Sequence, residues 1–239
     1  MSFPPDFFSQ EPLILFNKLT IEQIPFQSIL PQEDIEKADQ LWQSALQTNP
    51  SLFDGKLLHI TDIKRTKPDQ IHIQTMPIPY RYFYADRHDN GPNLSIFSLG
   101  VTGLTRFQDK ILLGQRSGHV TQYPGYWELA PSGTIEPSKN GSPDPVKQCV
   151  KELQEECGYS SATVNHVEPV CLFWDNAQSG TDIGCLLTLR STKTDAPFSD
   201  EYGSFVWKTG SDILARKHPK KEKIIPSNHH FLNRFLSFI

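Results

Sequence analysis

Residues 151–159 read KELQEECGY. Glu152, Glu155 and Glu156 recur at i, i+3 and i+4, the spacing that puts side chains on one face of a helix. Val146, Cys149, Val150 and Leu153 fall on another face. The flanks carry helix punctuation: Asp144 as N-cap, Pro145 at the first helical position and Gly158 as the C-terminal stop. Packed like charges repel, and a hard divalent cation bound by oxygens offsets that repulsion. Mg2+ takes carboxylates, waters and substrate phosphates together. The competing reading of the three glutamates alone is a solvated acidic face.

Outward from this helix, the second half of the chain alternates strands and loops. FSLGVTGLTRF and KILLGQRS, joined at Gln108-Asp109, read as a hairpin. GHVTQYPG is a polar loop, YWELAPSGTIE a strand running into a glycine turn at Gly133, and PSKNGSPDP a loop. VEPVCLFWD, IGCLLTLRS and GSFVWKTG read as strands, and NHHFLNRFLSFI as a closing amphipathic helix. In the first half, PQEDIEKADQLWQSALQ is a helix with acids in its first turn, stopped by Asn49-Pro50. KLLHITDIKR, QIHIQTMPI and RYFYADR read as β-like runs. The first thirty residues, rich in Phe, Pro and Gln, read as an arm packed on the surface. DNGPN at 89–93 is a loop and a boundary, dividing an α+β extension (1–90) from a second domain (91–239). The order of elements predicts a mixed α/β sandwich.

Composition narrows the function. The 239 residues, 37% hydrophobic with 15 Phe and 4 Trp, suffice for a real core. The net charge of -4 argues against a general affinity for nucleic acid backbone. No stretch is long and apolar enough to span a membrane, and the start lacks a signal peptide's basic and apolar regions. The four cysteines form no CxxC, which fits reduced thiols in a cytoplasmic protein.

The stretch 151–159 resembles the second half of the Nudix signature, G-x5-E-x7-R-E-U-x-E-E-x-G-U, at every fixed position except the first, where Lys151 stands for arginine. WELAPSGTIE is similar to the strand and glycine turn ahead of the family's helix, with Gly133 as the turn glycine. KILLGQRS and EYGSFVWK are similar to flanking family strands. The resemblance covers roughly 95–215. It implies a Nudix-type α/β/α sandwich with a mixed sheet and cleavage of a diphosphate linked to another moiety. Mg2+ is the implied ion, Mn2+ its alternative. Glu152, Glu155, Glu156 and the Gly133 carbonyl are the implied metal ligands. Lys151 would orient Glu152, itself ligand or base, and Glu201 is a further candidate base. Water activated by a glutamate or by the metal would attack.

Two departures stand out. Gly133 lies 18 residues before Lys151, about four more than the signature allows, and the excess falls in the SKNGSPDP loop. The signature's first glutamate has no counterpart, since counting back gives Pro143 and Glu136 comes too early. Lysine also offers a point charge in place of a planar fork.

Substrate contacts are sought at Arg116, which could grip a phosphate or sit as a surface arginine, and at Trp127, which could stack a base or belong to the core. ARKHPKKEK at 215–223 reads as a basic run near a diphosphate or as a solvated one. LWQSALQTNPSLFDGKLLHI resembles the segment ahead of the fold in UDP-glucose/UDP-galactose hydrolases. That implies a UDP-sugar as substrate. The alternatives are ADP-ribose, a thiamine-diphosphate-like compound, or a catalytically weak nucleotide-binding regulator. Small diphosphates are the expected partners, with no nucleic acid polymer and no membrane. The sequence leaves oligomeric state open.

Overall fold

The computed structural model describes residues 4–27, 30–50, 52–120, 122–139, 141–176, 179–215 and 223–236. The elements run α1 (Pro4–Phe7), β1 (Leu13–Leu15), β2 (Lys18–Gln23), α2 (Gln32–Thr48), β3 (Lys56–Lys67), β4 (Gln70–Pro79) and α3 (Tyr80–Asp86). Then come β5 (Ser98–Phe107), β6 (Lys110–Arg116), β7 (Trp127–Leu129), β8 (Ser132–Thr134), α4 (Pro145–Cys157), β9 (Val164–Asp175), β10 (Gly180–Leu189), β11 (Tyr202–Thr209), α5 (Gly210–Leu214) and α6 (Pro226–Phe235).

The strands form one mixed sheet with the path β1-β9-β10-β5-β3-β4-β2. β5 runs parallel to β10 and antiparallel to β8, and β6 carries β11 and β7. Strand alternation sends successive side chains to opposite faces. Ile183, Cys185 and Leu187 of β10 share one cluster with Cys149, Leu153 and Cys157 of α4. Leu186 of the same strand joins the other cluster with Phe231, Leu232 and Leu236 of the C-terminal segment. The sheet is thus covered on both faces, which bears out the mixed α/β sandwich that the element order predicts. α4 keeps its expected bounds: the Asp144 carboxylate accepts from the amides of Val146 and Lys147, and Gly158 closes the helix at φ 75. A side chain at Gly158 would meet the Ala196 carbonyl at 2.2 Å.

Two readings change. RYFYADR is helical, not extended: α3 begins after Pro79. Its alternating aromatics mimic a strand, but Tyr80 and Tyr84 both pack edge-on against Trp42 of α2, and that contact decides the conformation. The N-terminal residues are also more than an arm. β1 pairs with β9 at one edge and β2 runs parallel to β4 at the other, so segments too short to show periodicity complete the sheet. β3 joins the central strands where His59 faces Ser98 and the Ile60 amide donates to the Phe97 carbonyl at 2.8 Å. Among the described residues no helix is long and apolar enough to cross a membrane. Most of the basic run at 215–223, residues 216–222, lies outside the described residues.

Candidate active site

The glutamates of α4 do not share one environment. Glu156 turns inward and is buried; its Oε2 accepts from the Ser132 amide at 2.9 Å and stands 3.5 Å from the Tyr202 hydroxyl. Glu152, one turn earlier, lies against β8, with Oε1 accepting from the Gln148 amide at 2.6 Å. Glu155 is exposed, with Lys151 at 3.4 Å. The expected convergence of all three on one side is corrected to a pair, Glu152 and Glu156. One residue is about 100° of helix rotation, enough to carry Glu155 away from a face that buries Glu156.

Gly133 is not at a turn. It lies in β8 opposite Val101, and the chain bends before it, at Ala130-Pro131. Its lack of a side chain serves close approach: a Cβ there would stand 2.5 Å from the carboxyl carbon of Glu152.

Lys151 does not contact Glu152. Its ammonium reaches Glu136 at 2.6 Å and Glu155 at 3.4 Å, on the exposed side of the helix. Neighbours i and i+1 on a helix do not face each other, and the loop after β8 brings Glu136 within reach instead.

A further carboxylate completes the cluster. Glu128 of β7 is buried; its Oε1 accepts from Arg116 Nη1 and from the Tyr202 hydroxyl, each at 2.7 Å. Arg116 also donates to the Gln122 carbonyl at 2.9 Å. It is therefore committed internally, and the phosphate-gripping reading gives way to charge compensation. Trp127 sits at 8% exposure in the apolar cluster under α6, so it is core and not a stacking platform. Glu201, exposed in the loop before β11, adds a negative field at Glu128, Glu152 and Glu156.

Burial is the main force on these acids. It pushes Glu156 well above the ordinary carboxylate range, opposed by the Ser132 amide and aided by the charges of Glu128, Glu152 and Glu201. It raises Glu128 against the pull of Arg116, and Glu152 against the Gln148 hydrogen bond. Among the described residues neither Glu152 nor Glu156 has an ion-pair partner. Nor does any group of three or more His, Cys, Asp or Glu among them form a finished metal cage. The donors are hard oxygens in negative surplus, with a carboxylate seated on the glycine cradle of β8. That fits Mg2+, which binds through one or two carboxylates and completes its shell with water and substrate phosphates.

No protein-family model matches the chain, and no curated protein matches it. Solved structures do. A MutT protein from Methanosarcina mazei is similar at 20% identity over 58% of this chain and 92% of its own, with a TM-score of 0.45. A Deinococcus radiodurans protein is similar at 16% identity over 75% and 98%, with a TM-score of 0.48. A Nudix hydrolase from Nitrosomonas europaea is similar at 15% identity over 59% and 88%, with a TM-score of 0.43.

Three polar residues of this region escape a reading of the sequence. Glu128 is signalled only as a lone acid inside the apolar run WEL, and Gln148 only as a donor one turn before Glu152. Asp182, on β10, accepts from the Thr102 hydroxyl at 2.9 Å and lies over Gly100, where a Cβ would meet its Oδ1 at 2.3 Å. Burial holds its carboxyl up at about 7, against the Thr102 hydrogen bond.

Proposed function

We propose that this chain is a Nudix-type hydrolase, dependent on a divalent cation, that cleaves a nucleoside diphosphate linked to a second moiety, preferably a UDP-sugar. One observation carries the reading: Glu152 and Glu156, on successive turns of α4, are both set against the backbone of β8, and among the described residues neither has an ion-pair partner. As anions such a pair costs stability, and a bound cation offsets that cost. Glu152, Glu156 and the Gly133 carbonyl would hold Mg2+. When bound, the ion supplies charge neutralisation for the diphosphate and acidifies water. Water adds to one phosphorus, the bridging P–O bond breaks, and a nucleoside monophosphate and a sugar phosphate leave. Glu201, or Glu152, takes the water's proton. Tyr202 and Arg116 keep Glu128 in place beneath the cluster.

The preference for a UDP-sugar rests on the resemblance of residues 41–60 to the segment ahead of UDP-sugar hydrolases, and on an extension (1–90) long enough to wall off one side of a cleft. The test compares kcat/KM for UDP-glucose, UDP-galactose, ADP-ribose, ADP-glucose, a dinucleoside polyphosphate and thiamine diphosphate at fixed Mg2+. UDP-sugars should lead. A tenfold advantage for ADP-ribose or thiamine diphosphate, about 1.4 kcal/mol in transition-state discrimination, overturns the substrate assignment and leaves the reaction class standing.

A further inference from the structure

Gln148 occupies an unusual place for a polar helix residue: it is buried, at 7% exposure, between α4 and the segment after β8. Both ends of its amide are used. Oε1 accepts from the Glu136 amide at 3.2 Å, and Nε2 donates to Glu152 Oε1 at 2.6 Å. These partners fix which end is which. A flipped amide would set NH2 against an N–H and C=O against a carboxylate, losing both bonds. The side chain is thus a two-sided clamp with one possible orientation.

What it clamps is the half-buried carboxylate seated against Gly133. Glu152 is bounded by the glycine's Cα on one side, where a Cβ would come within 2.6 Å of Oε1, and by the Gln148 amide on the other. The nearby cation is directed elsewhere, since Lys151 is spent on Glu136 and Glu155 at the surface. The choice of donor matters chemically. An ammonium or guanidinium beside Glu152 would fix its position but also cancel its charge. A neutral amide fixes one oxygen and leaves the negative charge, and the second oxygen, for another cation.

We propose that Gln148 is the positioning residue for Glu152, doing by a neutral one-turn hydrogen bond what the resemblance to the Nudix signature implies for the cation at 151. This deepens the functional reading above and rests on it. A planar fork at position 151 is then not required, because Lys151 contacts Glu136 and Glu155 and not Glu152.

The experiment uses the full chain with Gln148→Met, which keeps length and apolar bulk while removing both hydrogen bonds. Gln148→Asn, which keeps the amide but withdraws it by one methylene, and Lys151→Met accompany it. Mn2+ affinity is measured calorimetrically without substrate, alongside kcat and KM for UDP-glucose and circular dichroism. Removing a hydrogen-bond partner of a metal ligand typically costs about 10–100-fold in metal affinity or activity. Both Gln148 variants should weaken Mn2+ binding and lower kcat within that range, with KM within about twofold and the spectrum unchanged. Lys151→Met should change Mn2+ affinity less than about threefold. Gln148 variants that bind Mn2+ and turn over like the parent overturn the inference while the functional reading stands; so does Lys151→Met losing as much as they do. A parent chain that neither binds Mn2+ nor hydrolyses any diphosphate overturns the functional reading, and the inference with it.

Discussion

Glu152 and Gly133 approach so closely that one added methyl on the glycine would sit 2.5 Å from the glutamate's carboxyl carbon. The atom in the way is the far end of a side chain, not backbone, and Gly133 does not need the left-handed region. Gly133→Ala should therefore fold normally, with a melting temperature within a few degrees of the parent, while Glu152 swings aside. The expected result is a loss of kcat of about tenfold or more, because a misplaced catalytic group is costly even at small displacements. A variant that melts far below the parent would show that the glycine serves the fold.

The Arg116–Glu128 pair should behave as a buried ion pair. Its two side chains are 13% and 4% exposed and 2.7 Å apart. Removing one partner of such a pair typically costs about 3–5 kcal/mol. Arg116→Met should destabilise by that order in urea unfolding, and the double variant Arg116→Met with Glu128→Gln should recover a large part of it. If Arg116→Met instead leaves stability untouched and raises KM alone, the arginine binds phosphate after all.

Much of this architecture is legible in the sequence. α4 announces itself at both ends, because Asp144, Pro145 and Gly158 act through the backbone of their own neighbours. The strands of the second half show as apolar runs. What escapes is decided by contacts distant in sequence. α3 looks extended until Trp42 is brought against Tyr80 and Tyr84. β1 has only three residues, and its partner lies far along the chain. Glutamates at i+3 and i+4 look equivalent until the sheet buries Glu156 and leaves Glu155 in water. The direction of Lys151 depends on where the loop after β8 sets Glu136, which no local pattern encodes.

Asp182 predicts a pH dependence. Its folded carboxyl is raised from 3.8 to about 7 by burial. A raised acid favours the protonated folded state. Its stabilising contribution is complete below about pH 4 and is lost as pH rises through 7. Asp182→Asn should thus be more stable than the parent at pH 8, by on the order of 4 kcal/mol, and the difference should shrink to little by pH 4. Equal unfolding profiles for the two proteins between pH 4 and 8 would contradict this.

Buried Glu156 and half-buried Glu152, both set against β8, are proposed to hold a divalent cation for diphosphate hydrolysis. Glu156→Gln tests this assignment most directly, because the amide oxygen can still accept from Ser132 and the change removes a buried charge. The measurement is hydrolysis of UDP-glucose, followed by phosphorus NMR, with and without saturating Mg2+, in parent and variant. The parent should release UMP and glucose phosphate in a Mg2+-dependent way. The variant should lose about two or more orders of magnitude of activity, with thermal stability equal or higher. A variant as active as the parent at saturating Mg2+ would contradict the assignment.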